Sequence, residues 1–368
     1  MKKALIVLLL LAFVAGGLFA QEGLSFSGRV MAGLGMWKVG DNDAGWGVMT
    51  PSGTTRGIRW NFIASYENAD GNKGFYTYFR SRGAPNSNRK FQDASGTGSF
   101  EVLYAEGWFT AFDGLLKIQG GKMTDSPFGY GDWWGEDDPS DTAFGLMATI
   151  NATDSIKIGV GSKSSYGIDQ MEKFEDSFGG FFGVRAGFGP VDARAYFDYA
   201  KDYITVHAAA TIEAGDFEVG LPVYVWDLGN FSDSGELQFL PYVSFSGIEN
   251  VGIDLFGMVG IDGAGGDPAF GAMLGVQYSF GNIIPRLAIA YMSGATYCGP
   301  AYGLRECIWD FNSYDKGDSY LLIRPQLRCR TSSSSYVDFA FVVAPMLGDN
   351  KPSNSLQIGG LIDFSVSF

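Results

Sequence analysis

A period of two governs this chain from Leu24 onward. Leu24, Phe26, Val30, Ala32 and Leu34 share one face, while Ser25, Ser27 and Arg29 share the other. Ile58, Trp60, Phe62 and Tyr66 alternate with Arg59, Asn61 and Glu67; Phe75 and Phe79 alternate with Tyr76, Tyr78, Arg80 and Arg82. Successive side chains of an extended strand point to opposite faces, so this beat specifies strands with one apolar and one polar side. It returns over 100–112, 115–123, 142–151, 155–163, 180–189, 192–200, 203–213, 217–227, 236–247, 250–260, 268–280, 284–292, 318–329, 335–344 and 355–368. That makes eighteen runs. Most are about 9–13 residues, the length at which a tilted strand crosses an outer membrane. The predicted fold is all-β, a transmembrane antiparallel up-and-down barrel of about 18 strands. Merging two of the weaker runs would give 16.

The connections alternate in length. Those at 38–55, 83–98, 124–141, 164–178 and 293–317 are long, and those at 69–72, 113–114 and 152–154 are short. Gly189-Pro190, Ala214-Gly215-Asp216 and Gly281-Asn282 extend the short set with turn-forming residues. Only 200–202 breaks the rhythm, a short link where a long one is due. Short turns at one end and longer loops at the other are the habit of outer-membrane barrels.

Charge follows the same division. Arg29, Arg59, Arg80, Arg82, Glu101, Lys117, Lys157, Arg185, Arg194, Asp198, Asp254, Asp338 and Asp363, among others, take the face opposite the apolar one. A basic residue on the lipid face costs about 2–4 kcal/mol at mid-membrane. Lys122 and Glu106 violate the rule. Lys122 is near a strand end and can snorkel; Glu106 needs a bulge or a subunit interface. Pro222, Pro241 and Pro325 sit inside predicted strands, where a closed barrel has no free edge to excuse a missing N–H. Bulges or strand boundaries are expected there.

Composition agrees with a curved, lipid-facing sheet: 53 Gly, 30 Phe, 18 Tyr and 8 Trp. Mean hydropathy is +0.04 because the two faces cancel. The net charge of −14 argues against a nucleic-acid partner, which needs clustered Lys and Arg. It suits a surface that meets divalent cations.

The N-terminus has the three-part layout of a secretory leader. Lys2 and Lys3 precede an apolar run from Ala4 to Val14, small residues follow, and a cut is expected after Ala20. The expected division is a cleaved signal peptide over 1–20 and one barrel domain over 21–368. The apolar run is too short to span about 30 Å of hydrocarbon as a helix. Cys298 and Cys307 lie in a Gly/Pro/Tyr-rich segment. An oxidising export route would allow them to pair as a loop staple, and two free thiols are the other reading. Cys329, on an apolar face, is expected to be a buried, inert thiol.

At the C-terminus Phe364, Val366 and Phe368 alternate with Asp363, Ser365 and Ser367. Here the chain resembles Gram-negative outer-membrane barrels, whose last strand ends in an aromatic residue read by the barrel-assembly machinery. Gly120-Gly121-Lys122 followed by Ser126-Pro127-Phe128-Gly129 is similar to the strand end and loop start of general porins. Lys122 departs from the Gly-Arg-Gln that many of them carry. In that family the loop at this position folds into the lumen and forms the constriction. The resemblance implies an acidic side made by Asp125, Asp132, Glu136, Asp137 and Asp138, facing a basic wall of Arg29, Arg59, Arg80 and Arg82. Opposed charges across a narrow pore set a transverse field that sorts solutes. It further implies a bacterial outer-membrane location, lipid contact, small hydrophilic solutes as cargo and a homotrimer.

Trp133 and Trp134, with inward Trp37, Tyr76, Tyr78, Tyr224 and Trp226, admit a second idea: stacking on sugar faces, as in saccharide-selective channels. A third reading is an adhesin or structural barrel with a plugged lumen. An enzyme is not expected. His207, the single histidine, is placed on the inward face with no Ser one strand-step away, and a nucleophile needs such a base beside it. One His and scattered Cys supply no zinc spacing either, so neither cofactor nor metal is expected.

Overall fold

The computed structural model describes residues 23–39, 45–49, 59–82, 99–123, 128, 144–164, 178–200, 203–265, 268–293, 319–347 and 356–368. Among them, 21 hydrogen-bonded segments form one sheet. Three strands consist of two segments each, so the barrel has 18 strands, as the alternation predicts.

The strands run β1 (Leu24–Val39), β2 (Gly45–Met49 with Arg59–Glu67), β3 (Lys73–Arg82), β4 (Ser99–Ala111), β5 (Leu116–Lys122) and β6 (Phe144–Asn151). Next come β7 (Ile156–Ser164), β8 (Phe178–Phe188), β9 (Val191–Ala200) and β10 (Tyr203–Ala214). They are followed by β11 (Phe217–Gly220 with Val223–Trp226) and β12 (Glu236–Phe239 with Tyr242–Phe245). The last six are β13 (Val251–Asp262), β14 (Ala269–Tyr278), β15 (Ile283–Ser293), β16 (Ser319–Arg330), β17 (Tyr336–Leu347) and β18 (Leu356–Ser367). Each pairs antiparallel with its neighbours in sequence. β18 returns to β1, with Arg29 opposite Ser367 and Val39 opposite Gln357, which closes the barrel and leaves no sheet edge.

The interruptions have identifiable causes. In β2 the two described segments follow one another along β1, with Met49 opposite Gly33 and Arg59 opposite Met31. In β11 and β12, Leu221-Pro222 lies across from Leu240-Pro241, flanked by the pairs Gly220–Tyr242 and Val223–Phe239. The two prolines therefore share one break in the ladder, as the sequence requires. Pro325 differs from expectation. It lies opposite Leu287 in an unbroken register, and on the other side Ile323–Val343 and Gln326–Ala340 keep step. On the β17 side the described pairs skip Pro325, so the missing donor opens the ladder there without shifting the register.

A bulge settles Glu106. Between β3 and β4 the register shifts: Tyr78 faces Tyr104, yet Phe79 faces Val102, so Leu103 is the extra residue. An extra residue exchanges the two faces of a strand beyond it. Glu106 thereby joins the face of Tyr76, and Gln119 Nε2 donates to its carboxylate at 3.3 Å. Lys122 stays on the other face at the strand end, where its ammonium donates to the Val102 carbonyl at 3.1 Å.

The short hairpins at 189–190, 215–216 and 281–282 place Gly189, Gly215 and Gly281 at φ of 59°, 61° and 62°. A left-handed glycine at the first central position matches the twist of the flanking strands. The short link at 200–202 is also present, since Ala200 pairs directly with Tyr203. A single helical turn, Phe231–Ser234, follows the 3-10 turn Leu228–Asn230 between β11 and β12.

The apolar surface is on the outside. Along β14–β18 the outward Leu274, Phe341 and Ile362 are 40–51% exposed, while the inward Met273, Val342 and Leu361 are at most 3% exposed. Phe112, Phe188, Phe280 and Phe368 stand exposed at the short-turn end. A sheet with apolar residues outward and charges inward suits hydrocarbon outside and water inside. No helix among the described residues is long and apolar enough to cross a membrane.

Candidate channel lumen

The inner wall divides into three zones. On the seam side, Arg328 forks onto Asp338 at 2.8 and 2.6 Å and lies 3.7 Å over the Tyr336 ring. Arg29 reaches across β18, donating to Ser365 Oγ and, at 2.6 Å, to the Tyr336 hydroxyl. Directly opposed Asp338 and Asp363 are both buried there. On β10–β17 the wall carries a buried apolar cluster that includes Tyr224, Leu240, Phe256, Met273, Leu322 and Val342. On β7–β11, near the short turns, charges line a cavity of about 680 Å³.

Of the predicted basic wall, the side chain of Arg29 is described and is inward, held by the seam contacts above. Arg59, Arg80 and Arg82 occupy register positions in the rows of Met31, Asn61 and Ser99, consistent with one shared face, and their side chains lie outside the described set. Asp125, Asp132, Trp133, Trp134, Glu136, Asp137, Asp138, Cys298 and Cys307 all lie outside the described residues.

One residue of the predicted constriction loop is described, and it is inside. Phe128 is 1% exposed and packs with Met123, Met147, Phe181 and Tyr196. Its ring occupies the space above Gly159 and Gly183, where a Cβ would come within 2.0 and 2.4 Å of it. Both glycines are in register with the inward Thr149 and Tyr196. Two glycines side by side on the wall thus make a flat seat for one ring. The sequence shows Gly159 and Gly183 only as isolated strand glycines; their adjacency is a product of register.

The aromatic residues are less available than the sequence suggests. Tyr224 is 1% exposed, stacked between His207 at 4.0 Å and Trp226 at 5.2 Å. Tyr76 and Tyr78 are half-buried on the inner face, the latter 5.7 Å from Tyr104. His207 is inward but covered, with Tyr196 and Tyr224 as its cross-strand neighbours and, among the described residues, no hydrogen bond to either ring nitrogen. Cys329 is a free thiol on the outer face and half-exposed rather than buried, because its strand turns that side to the surroundings. Among the described residues no group of three metal-ligating side chains converges.

Phe364 and Val366 face outward and are exposed. Phe368 exchanges backbone hydrogen bonds with Gly28 of β1 at 2.9 and 3.0 Å, and its ring fills the space a side chain at Gly28 would need. The terminal aromatic therefore marks the seam.

No family model matches the sequence, and no curated protein sequence matches it. Solved structures do. OpdL of Pseudomonas aeruginosa is 10% identical, with 94% of this chain and 98% of that one covered and a TM-score of 0.58. The outer membrane protein OpdK of Pseudomonas aeruginosa is 10% identical over 94% and 99%, with a TM-score of 0.57. OccAB4 of Acinetobacter baumannii is 10% identical over 94% and 99%, with a TM-score of 0.55. At such identity the likeness concerns the fold, and it extends over nearly the whole of each chain.

Proposed function

We propose that this chain is an outer-membrane porin, a passive diffusion channel for small hydrophilic solutes, exported by a leader over Met1–Ala20. The observation that carries the reading is the inside-out barrel: a closed 18-strand sheet, apolar outward and charged inward. The fold shared with an outer membrane protein of Pseudomonas aeruginosa supports the location. The proposed constriction is the loop after β5. Phe128, seated on the inner wall above Gly159 and Gly183, supports an inward path for that loop. Asp125, Asp132, Glu136, Asp137 and Asp138 would then give the acidic side, and Arg29, Arg59, Arg80 and Arg82 the basic side. Assembly through the terminal Phe368 and association as a homotrimer belong to the same proposal.

The test is reversal potential in a salt gradient. With Asp132, Glu136 and Asp138 changed to amides, a weakly cation-selective channel should move towards anion preference. An unmoved potential would remove this loop from the constriction.

One observation favours a second reading, a plugged barrel with an adhesive or structural role. The inward apolar cluster on β10–β17 is buried, although a bare, water-filled wall would be polar. A folded barrel without conductance would support it. The saccharide reading rests on Trp133 and Trp134 with Trp37, Tyr76, Tyr78 and Trp226, since Tyr224 is covered; block of the current by sugars would support it.

A further inference from the structure

The short-turn mouth carries a charge arrangement that strand stability alone would avoid. Lys157 on β7, Arg185 on β8 and Arg194 on β9 are directly opposed in one row, Lys157 to Arg185 and Arg185 to Arg194. Arg194 opposes Ala209 on β10, and four residues further along that strand Glu213 directly opposes Glu218 on β11. Like charges opposite each other destabilise a sheet, and opposite signs would stabilise it. Here three cations stand together with one carboxylate, Asp192, shared by two of them, and two carboxylates stand together. Departures of this kind from local consistency gather at functional positions.

The cationic row is fixed in place. Arg185 forks onto Asp192 at 3.1 and 2.6 Å, and Arg194 donates to the same carboxylate at 2.9 Å. Glu218 accepts from the Tyr242 hydroxyl, while Glu213 is exposed, and among the described residues neither glutamate makes an ion pair. Lys157, Arg185, Asp192, Arg194, Glu213 and Glu218 all line the same cavity of about 680 Å³. Their phase along the strands matches the inward Tyr196 and His207, and each lies within a few residues of a short turn.

We infer that this mouth is a second charge-sorting site, separate from the loop after β5, with Lys157, Arg185 and Arg194 on one side and Glu213 and Glu218 on the other. The inference rests on the channel reading. The two groups lie on the consecutive strands β7–β11, so the field between them runs along this stretch of wall, around the mouth, and the region carries little net charge. Such a field aligns solutes that carry separated positive and negative groups, and it orders the water that uncharged solutes must displace.

The test compares two probes in proteoliposomes, betaine and an uncharged polyol of similar size. The paired variant Lys157→Gln with Glu213→Gln weakens the field and leaves the net charge unchanged, and it spares the Arg185–Asp192 fork. The betaine-to-polyol permeability ratio should fall by about threefold or more. The inverted pair, Lys157→Glu with Glu213→Lys, sets a carboxylate opposite Arg185 and an ammonium opposite Glu218, mixes the signs in both groups, and should lower the ratio at least as far. In planar bilayers Glu213→Gln alone should shift reversal towards anions and Lys157→Gln alone towards cations. A gel with and without boiling confirms that each variant is folded. A conducting parent whose ratio does not change in the paired variant overturns the charge sorting and leaves the channel intact. A folded parent that passes nothing overturns both.

Discussion

At the scale of single residues, two contacts tie the wall to the rest of the molecule. The Phe128 ring needs Gly159 and Gly183 bare, so Gly183→Leu should displace it, as the 2.4 Å approach leaves no room. Truncation by Phe128→Ala removes the same anchor, and loss of a buried Phe costs about 3–5 kcal/mol. Both variants should give larger and noisier single-channel steps; unchanged steps would mean the ring does not hold the loop. Arg29 is the second contact. Its guanidinium serves Ser365 and Tyr336 across the closing seam. Hydrogen bonds to a charged group contribute about 1.5–3 kcal/mol. Arg29→Ala should therefore lower the temperature at which the folded band disappears on unboiled gels. Tyr336→Phe should do so by less, because the ring stays beneath Arg328.

At the scale of elements, the bulge in β4 decides which side Glu106 faces. Deleting Leu103 should restore a regular register and turn one half of the strand over. If that half carries Glu106, a carboxylate enters the lipid face at a cost of about 2 kcal/mol or less. Refolding yield into vesicles should fall, and Glu106→Leu in the deletion should recover it; full yield in the deletion alone would contradict the bulge. The strands themselves were legible because hydrocarbon outside and water inside enforce a strict alternation on each of them. The even count and the long and short connections followed from the same pattern. What was illegible depends on register. Nothing near Glu106 in the chain announces an extra residue at Leu103. The rows Lys157–Arg185–Arg194 and Glu213–Glu218 join residues from separate strands, and only pairing puts them side by side. Pro325 misled in the opposite direction, since the partners on either side keep its strand in step.

At the scale of the whole molecule, closure of β18 onto β1 removes every edge, and the outward apolar face requires lipid or detergent. The barrel should run as a compact band before boiling and as a slower or faster unfolded band after it; identical migration would argue against a closed barrel. Closure fixes a wall, and the buried apolar cluster on β10–β17 shows that part of this wall is covered. Whether solutes pass is therefore the point on which the account stands. Purified, heat-modifiable protein in a planar bilayer decides it. The account predicts stable, large, ohmic current steps, and a folded barrel that remains electrically silent would contradict it.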